Sequence, residues 1–405
     1  MRILMLIHRL ADNSPYCFYV HEQAKALAAA GHRVSVIAPV PSLPGYALLR
    51  PQAAAIAKTT PRRAVVDGIP VAYPRFPALG NAGVRALGGR AMAWAALPEA
   101  CRQHRVEPFD LIHAHMLPVE GHAALLMGRR LGIPAVVTVH GTDVLRCFPR
   151  NRRPGARNRR LCRDAHALTA VSHLLAGRLS PWRGTVVPVV PNGVDLSLIP
   201  PVTRNLPRRI LTGGTLKARK CMHTTLDAFL ALAPDFTDAT LTIFGEGPDR
   251  ASLEAKIAQR GMAGRVTLTG GLPHEQVLAL MAQSDAFVMP SYAEGYGIVY
   301  IEAMAAGCIA VGSVGEGIAD LIRDGENGFL VPAADAQSLI PVMRRLLAGD
   351  DGLAVIRAKG RADARTLTWA RNAAAYEDIY RQVLTGGPDV RRYRPLSQQR
   401  RLPHG

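Results

Sequence analysis

Short apolar runs alternate with alanine-rich amphipathic stretches along nearly the whole chain. Ile3 to Ile7 is a continuous apolar run of a length suited to one buried strand. His21 to Ala30 is rich in helix formers and stops at Gly31. Val34 to Ile37 predicts the next strand, and Asp110 to His113 another, followed by a helix near Gly121 to Leu131. Pro134 to Val139 and Ala167 to Val171 continue the series. The second half repeats it, with strands at Arg209–Leu211, Thr240–Phe244, Arg265–Leu268, Ala286–Met289, Ile309–Val311 and Gly328–Val331. Helices are expected between them at Thr224–Leu232, Gln276–Ala282 and Ile298–Ala306. Apolar strands alternating with helices imply α/β domains whose parallel sheets are covered on both faces.

A length of 405 residues suits two such domains. The expected joint is Pro188 to Pro207, with five prolines and an Asn-Gly turn signal. The chain then divides into an N-terminal domain over 1–190, a second over 191–368, a helix over 369–385 and a basic tail over 386–405, expected to be disordered. Trp369 to Val383 is amphipathic, with Ala373, Tyr376, Ile379, Tyr380 and Val383 on one face. Two doubly wound domains place ligand crevices at the carboxyl ends of their strands. A cleft between them is the expected active site.

Hydrophobic residues make up 48% of the chain, enough for two full cores. Six scattered cysteines without a C-x-x-C pair argue against a zinc site or a disulfide framework and fit reduced thiols in the cytoplasm. The opening apolar run is too short for a signal peptide, and no stretch reaches the roughly 18 apolar residues of a membrane span.

The net charge is +18, from 49 basic and 31 acidic residues. Arg146, Arg150, Arg152, Arg153, Arg157, Arg159, Arg160 and Arg163 fall in one stretch without an acidic residue. Arg391, Arg392, Arg394, Arg400 and Arg401 form a second cluster. Such clusters concentrate anions: nucleic acid, anionic headgroups or phosphorylated glycans. They are equally compatible with an ordinary arginine-rich surface. No helix-turn-helix, zinc-finger or aromatic RNA-binding signature accompanies them, so nucleic acid is not the expected partner. Phe76 to His104, apolar with interspersed arginines and Trp94, reads as a packed or interfacial helix.

The most specific run is Glu294-Gly295-Tyr296-Gly297-Ile298-Val299-Tyr300-Ile301-Glu302-Ala303-Met304-Ala305-Ala306-Gly307. A strand ends before it, a glycine-containing loop follows, and a helix begins near Gly297. Free N–H groups at a helix start favour a phosphate, and glycines allow close approach. Glu294 and Glu302 can each accept hydrogen bonds from a hydroxyl pair, as sugars offer. The plain alternative is a loop glutamate and a surface helix glutamate.

This run, with Phe244 to Pro248, Val266 to Gly270, Asp324 to Val331 and Pro191 to Asp195, resembles glycosyltransferase family 4. These are retaining transferases of the GT-B architecture, two Rossmann-like domains facing a cleft. The resemblance covers about residues 1 to 385. It implies that Glu302 holds the ribose hydroxyls of a nucleotide and that Glu294 contacts the transferred sugar. Gly295, Tyr296, Gly297, Ile298 and Val299 line the donor loop, the last three offering N–H groups to the diphosphate. Lys220, in Gly213 to Lys220, matches a lysine that neutralises the leaving diphosphate. His140, in Val139-His140-Gly141-Thr142-Asp143, matches a histidine on the sugar-facing side, and Asp143 is placed near the acceptor. Trp369 to Tyr380 resembles a final helix that crosses back to the first domain.

Three departures stand out. Thr215 replaces the family's usual arginine, which leaves a phosphate contact missing or supplied by Lys217 or Arg219. Gly315-Glu316-Gly317 replaces a glycine pair, and Glu316 is unexpected near a donor. Ala11 to Phe18 replaces a glycine-rich loop. Asn13 and Ser14 are acceptor-side candidates there, although Pro15 limits the donors available. His113 and His115 lack carboxylate or cysteine partners at ligand spacing and are expected to be structural or cleft-lining. No Asp-x-Asp motif occurs, and neither a metal nor another cofactor is expected.

The resemblance thus implies transfer from a nucleotide diphosphate sugar to a glycan or lipid-linked acceptor, with retention. The expected setting is bacterial surface polysaccharide assembly, which Tyr19 to Gln23 with His113-Ala114-His115 suggests by analogy. The location would be cytoplasmic, peripheral at the inner membrane face, with both arginine clusters toward anionic lipid. An epimerase or phosphorylase of similar shape and a basic nucleic-acid binder are the rival readings.

Overall fold

The computed structural model describes residues 1–8, 17–42, 51–77, 84–148, 153–202 and 208–386. Contacts divide the chain into two units: Met1–Asn192 with the segment from Trp369 onward, and Gly193–Thr368.

The first unit is built on a seven-stranded sheet of order β4-β5-β2-β1-β7-β8-β9. Its strands are β1 (Arg2–Leu6), β2 (Arg33–Ile37), β4 (Arg63–Val66), β5 (Ile69–Ala72), β7 (Leu111–His115), β8 (Ala135–Val139) and β9 (Ala167–Ala170). All neighbours are parallel except β4 and β5. That hairpin turns at Asp67-Gly68, both at positive φ, as the Asp-Gly turn of a two-residue hairpin requires. Two short strands, β3 (Val40–Pro41) and β6 (Arg75–Phe76), pair separately. Strands β7 and β8 are buried throughout, so apolar residues occupy both faces.

Helix α1 (Phe18–Ala29) starts three residues before the expected His21 and stops where Gly31 takes a φ of +86°. The stretch read as a single helix over Phe76 to His104 divides. Phe76 ends β6, and after it α3 spans Val84–Val106, the second helix α2 being Pro51–Thr59. Trp94 on α3 is 73% exposed. Then come α4 (His122–Leu131), α5 (Thr142–Cys147), α6 (Ala156–Asp164) and α7 (His173–Arg183). The C-terminal helix Trp369–Thr385 packs into this unit. Its Ala373, Tyr376, Tyr380 and Val383 share a core with Ile3, Met5, Val20 and Val36. Gln23 donates to the Asn372 side chain at 2.7 Å, and His32 meets Glu377 at 2.6 Å. His21, Glu22 and Gln23 are all buried, but the first two turn elsewhere, His21 to Asp67 at 2.8 Å and Glu22 to Lys25 at 3.1 Å.

The second unit carries a six-stranded parallel sheet of order β12-β11-β10-β13-β14-β15. The strands are β10 (Arg209–Gly213), β11 (Thr240–Phe244), β12 (Val266–Gly270), β13 (Ala286–Val288), β14 (Ile309–Ser313) and β15 (Phe329–Val331). The helices are α8 (Met222–Leu232), α9 (Arg250–Gln259), α10 (His274–Gln283), α11 (Ile298–Ala305), α12 (Ala336–Ala348) and α13 (Leu353–Arg365), which makes the C-terminal helix α14. No helix among the described residues is long and apolar enough to cross a membrane.

Candidate active site

In the second unit, the loops after β10, β13 and β14 converge on Glu294. The chain leaves β10 through Gly214 and passes an exposed Thr215 and Lys217. It makes a short turn at Ala218–Lys220 before α8. That turn aims Lys220 at Glu294, with Nζ 2.5 Å from Oε2. Arg219 Nη1 reaches the same oxygen at 3.4 Å. The Lys220 and Glu294 side chains are only 12% and 13% exposed. A pair this deep needs good geometry to offset its desolvation. The Tyr292 N–H donates to the Arg219 carbonyl at 2.9 Å, which ties the two loops together.

Helix α11 starts at Ile298 behind Gly297, whose φ is +84°. A Cβ there would lie 2.6 Å from the Tyr300 ring, so glycine is required twice over. The Ile298 and Val299 N–H groups open the helix, where no carbonyl one turn earlier lies within it. Tyr300 holds the helix from beneath. Its hydroxyl donates to the Met289 carbonyl and lies 3.0 Å from Ser291 Oγ. Burial pushes the Tyr300 phenol far up, so it stays a neutral donor. Tyr296 is 3% exposed, and burial likewise raises its phenol.

Glu302 lies on the second turn of α11 and is 7% exposed. Its Oε1 meets His274 Nε2, at the start of α10, at 2.8 Å. The Glu294 N–H donates to Glu316 Oε2 at 2.8 Å, and the Gly317 N–H donates to the Glu294 carbonyl at 3.2 Å.

The first unit gathers a different set at the carboxyl ends of β1, β7 and β8. His115 Nδ1 lies 3.0 Å from His140 Nε2, and the His140 ring lies 4.2 Å from that of Tyr19. His113 is fully buried, 2.6 Å from the Tyr380 hydroxyl and 2.7 Å from that of Thr138. Burial lowers His113 and His140 to about 3 and His115 well below its usual value, so the three are neutral. Two neutral rings 3.0 Å apart share one proton. His115 Nε2 and His140 Nδ1 are buried and have no hydrogen-bond partner among the described residues. Asp143 accepts the Gly141 and Leu117 N–H groups at 2.9 and 3.2 Å, yet burial still raises its pKa. After β7 the backbone takes a φ of +77° at Met116, a non-glycine residue, and winds a wide turn over Leu117–Gly121. That turn carries Glu120, 1% exposed, into contact with His8. Burial opposes a charge on His8, but the Glu120 carboxylate outweighs it, and the His8 pKa is raised.

Residues 202–363 match the family pattern of glycosyl transferases group 1, and residues 18–198 that of Glycosyltransferase Family 4. The chain is 31% identical over 295 residues to 2-deoxystreptamine glucosyltransferase of Streptomyces kanamyceticus, covering 65% of this chain and 75% of that protein. The chain is a family 4 glycosyltransferase. The transferase is also 28% identical over 390 residues to glycogen synthase of Mycobacterium tuberculosis, 89% of each chain. Its fold matches that of Anabaena HepE, a crystal structure in complex with UDP and glucose. The TM-score is 0.68 at 20% identity, over 94% of this chain and 100% of that one. The transferase has the GT-B fold.

The second unit of the transferase thus brings Lys220, Arg219, Glu294 and the start of α11 around one turn, with Glu302 one helical turn beyond. His140 and Asp143 belong to the first unit. Asn13 and Ser14 lie outside the described residues, as do Arg150, Arg152 and the cluster from Arg391 to Arg401. Sequence reasoning did not single out His274, His8 or Glu120. Each reaches its partner across 28 or 112 residues of sequence, so no local spacing marks it. A histidine opening a helix behind proline, as Pro273-His274 does, was the one signal on offer.

Proposed function

We propose that this transferase moves a sugar from a nucleotide diphosphate sugar to a glycan or lipid-linked acceptor, with retention of anomeric configuration. The setting is bacterial surface polysaccharide assembly, in the cytoplasm at the inner membrane face. The observation that carries this reading is the pairing of Lys220 and Arg219 with Glu294, beside the open start of α11. It supports a site for an anion next to one for hydroxyls. The helix N-terminus and two cations suit a diphosphate. Glu302 suits a ribose diol, with His274 orienting it, and Glu294 suits the hydroxyls of the transferred sugar. UDP and glucose in HepE accord with a donor of this class.

In this reading the bond from the anomeric carbon to the leaving phosphate oxygen breaks as a bond to the acceptor oxygen forms on the same face. The acceptor proton passes to that phosphate oxygen, so no side chain need act as base. Lys220 and Arg219 stabilise the charge that grows on the diphosphate. His140, kept neutral by burial, faces the sugar, and Asp143 fixes the His140–Gly141 loop near the acceptor. No metal or other cofactor takes part. The arginines of Arg146–Arg163 and Arg391–Arg401 attract the anionic membrane surface that carries a lipid-linked acceptor. The test is proton NMR of the first product formed from an anomerically pure donor. A product glycoside whose anomeric carbon keeps the donor's configuration supports retention; the opposite anomer would refute it.

A further inference from the structure

Glu316 stands where the sequence departs from its family's glycine pair, and its surroundings give it a task. It precedes the turn Gly317–Asp320 after β14. Its Oε2 accepts the Glu294 N–H at 2.8 Å, while the next residue, Gly317, donates its own N–H to the Glu294 carbonyl at 3.2 Å. Both polar groups of the Glu294 backbone are therefore held by two successive residues of another loop. The fit is close: a Cβ on Gly317 would lie 2.0 Å from the Gly295 carbonyl oxygen. The held turn is also a strained one, since Ala293, a non-glycine residue, has a φ of +54°. On its far side the Glu294 carboxylate meets Lys220 and Arg219. A further carboxylate beside Glu294 adds like-charge repulsion, which the hydrogen bond offsets.

We propose that Glu316 is a positioning residue of the donor site, holding the Ala293–Gly295 turn so that the Glu294 side chain meets the transferred sugar. The proposal rests on the reading of Glu294 as the sugar-contacting carboxylate. Glu316 acts through the Glu294 backbone. Without it the Glu294 N–H loses its partner, the strained turn relaxes, and the carboxylate drifts from the sugar. A misplacement of about 1 Å costs up to roughly a hundredfold in rate.

Glu316→Ala and Glu316→Gln separate the bond from the charge, because a glutamine amide oxygen still accepts the N–H. Two readouts apply to each full-length variant. In amide hydrogen exchange, Glu316→Ala should speed exchange at Glu294 by about tenfold or more, with β10 and β14 as protected as before, and Glu316→Gln should stay near native. In turnover, Glu316→Ala should lower kcat by about 10- to 100-fold, with unchanged affinity for whichever of UDP, GDP or ADP the native protein binds. Glu316→Gln should recover most of that loss. Unchanged exchange in Glu316→Ala overturns the proposal. So does an equal loss in Glu316→Gln, or a fall in nucleotide affinity matching the fall in kcat. If the native protein binds none of the three diphosphates, the donor reading fails by itself, and the exchange comparison still decides whether Glu316 holds the turn.

Discussion

Lys220 faces a carboxylate in the free protein and, in the proposed reaction, the leaving diphosphate. The 2.5 Å contact with Glu294 keeps both side chains ordered before any ligand arrives. Lys220→Ala removes the nearer cation and leaves Arg219, at 3.4 Å, as the remaining partner of a largely buried Glu294. The expected result is a loss of about a hundredfold in kcat, the scale of removing one preorganised charge from a developing oxyanion. Lys220→Arg should recover part of it. Nucleoside diphosphate release measures both, and near-native turnover in Lys220→Ala would count against the role. Glu294, Glu302 and Lys220 were visible as candidates in the sequence because each sits in a local run of fixed spacing. The partners that orient them were not. Glu316 showed only as an oddity, since its separation of 22 positions from Glu294 crosses a helix and a strand. His274 meets Glu302 only once α10 and α11 pack side by side.

The apolar runs marked most strands because buried parallel strands carry little else. The edge hairpin β4–β5 was missed: β4 alternates between exposed and partly buried positions, β5 is four residues long with an exposed Pro70, and only Asp67-Gly68 punctuates the pair. Strands β7 and β8 hold a feature that no periodicity reveals. His113 on β7 points into an interior shared with Tyr376 and Tyr380 of α14, and burial keeps it and His140, the residue after β8, at about 3. In the unfolded chain a histidine titrates near 6.5. Below that pH the unfolded chain binds protons that the folded first unit refuses, so stability falls as the medium is acidified from 6.5 toward 3. For these two residues the expected loss between pH 6.5 and 5.5 is about 2 kcal/mol at most. His8 acts in the opposite sense. Its pKa is raised, so its contribution is present below pH 6.5 and is lost as pH rises past its folded value. Urea unfolding of the first unit at pH 6.5 and 5.5, followed by amide exchange in β7 and β8, measures the balance. Equal midpoints at the two values would contradict the neutral-histidine core.

At the scale of the molecule, one chain builds two parallel-sheet units and gives its last helix to the first of them. The alternation of strand and helix foretold this class of fold, and the GT-B likeness bears it out. The proposed donor site, in contrast, draws on one unit alone, where Lys220, Glu294, Glu302 and the start of α11 lie together. That claim has a direct test: calorimetric titration of the full chain with UDP-, GDP- and ADP-sugars, beside Glu302→Ala. Saturable binding of one nucleotide series is expected, weakened at least tenfold in the variant, since removing a carboxylate that accepts hydrogen bonds from the ribose forfeits about 1.5–3 kcal/mol. Binding of none of the three series, or binding that Glu302→Ala leaves untouched, would contradict it.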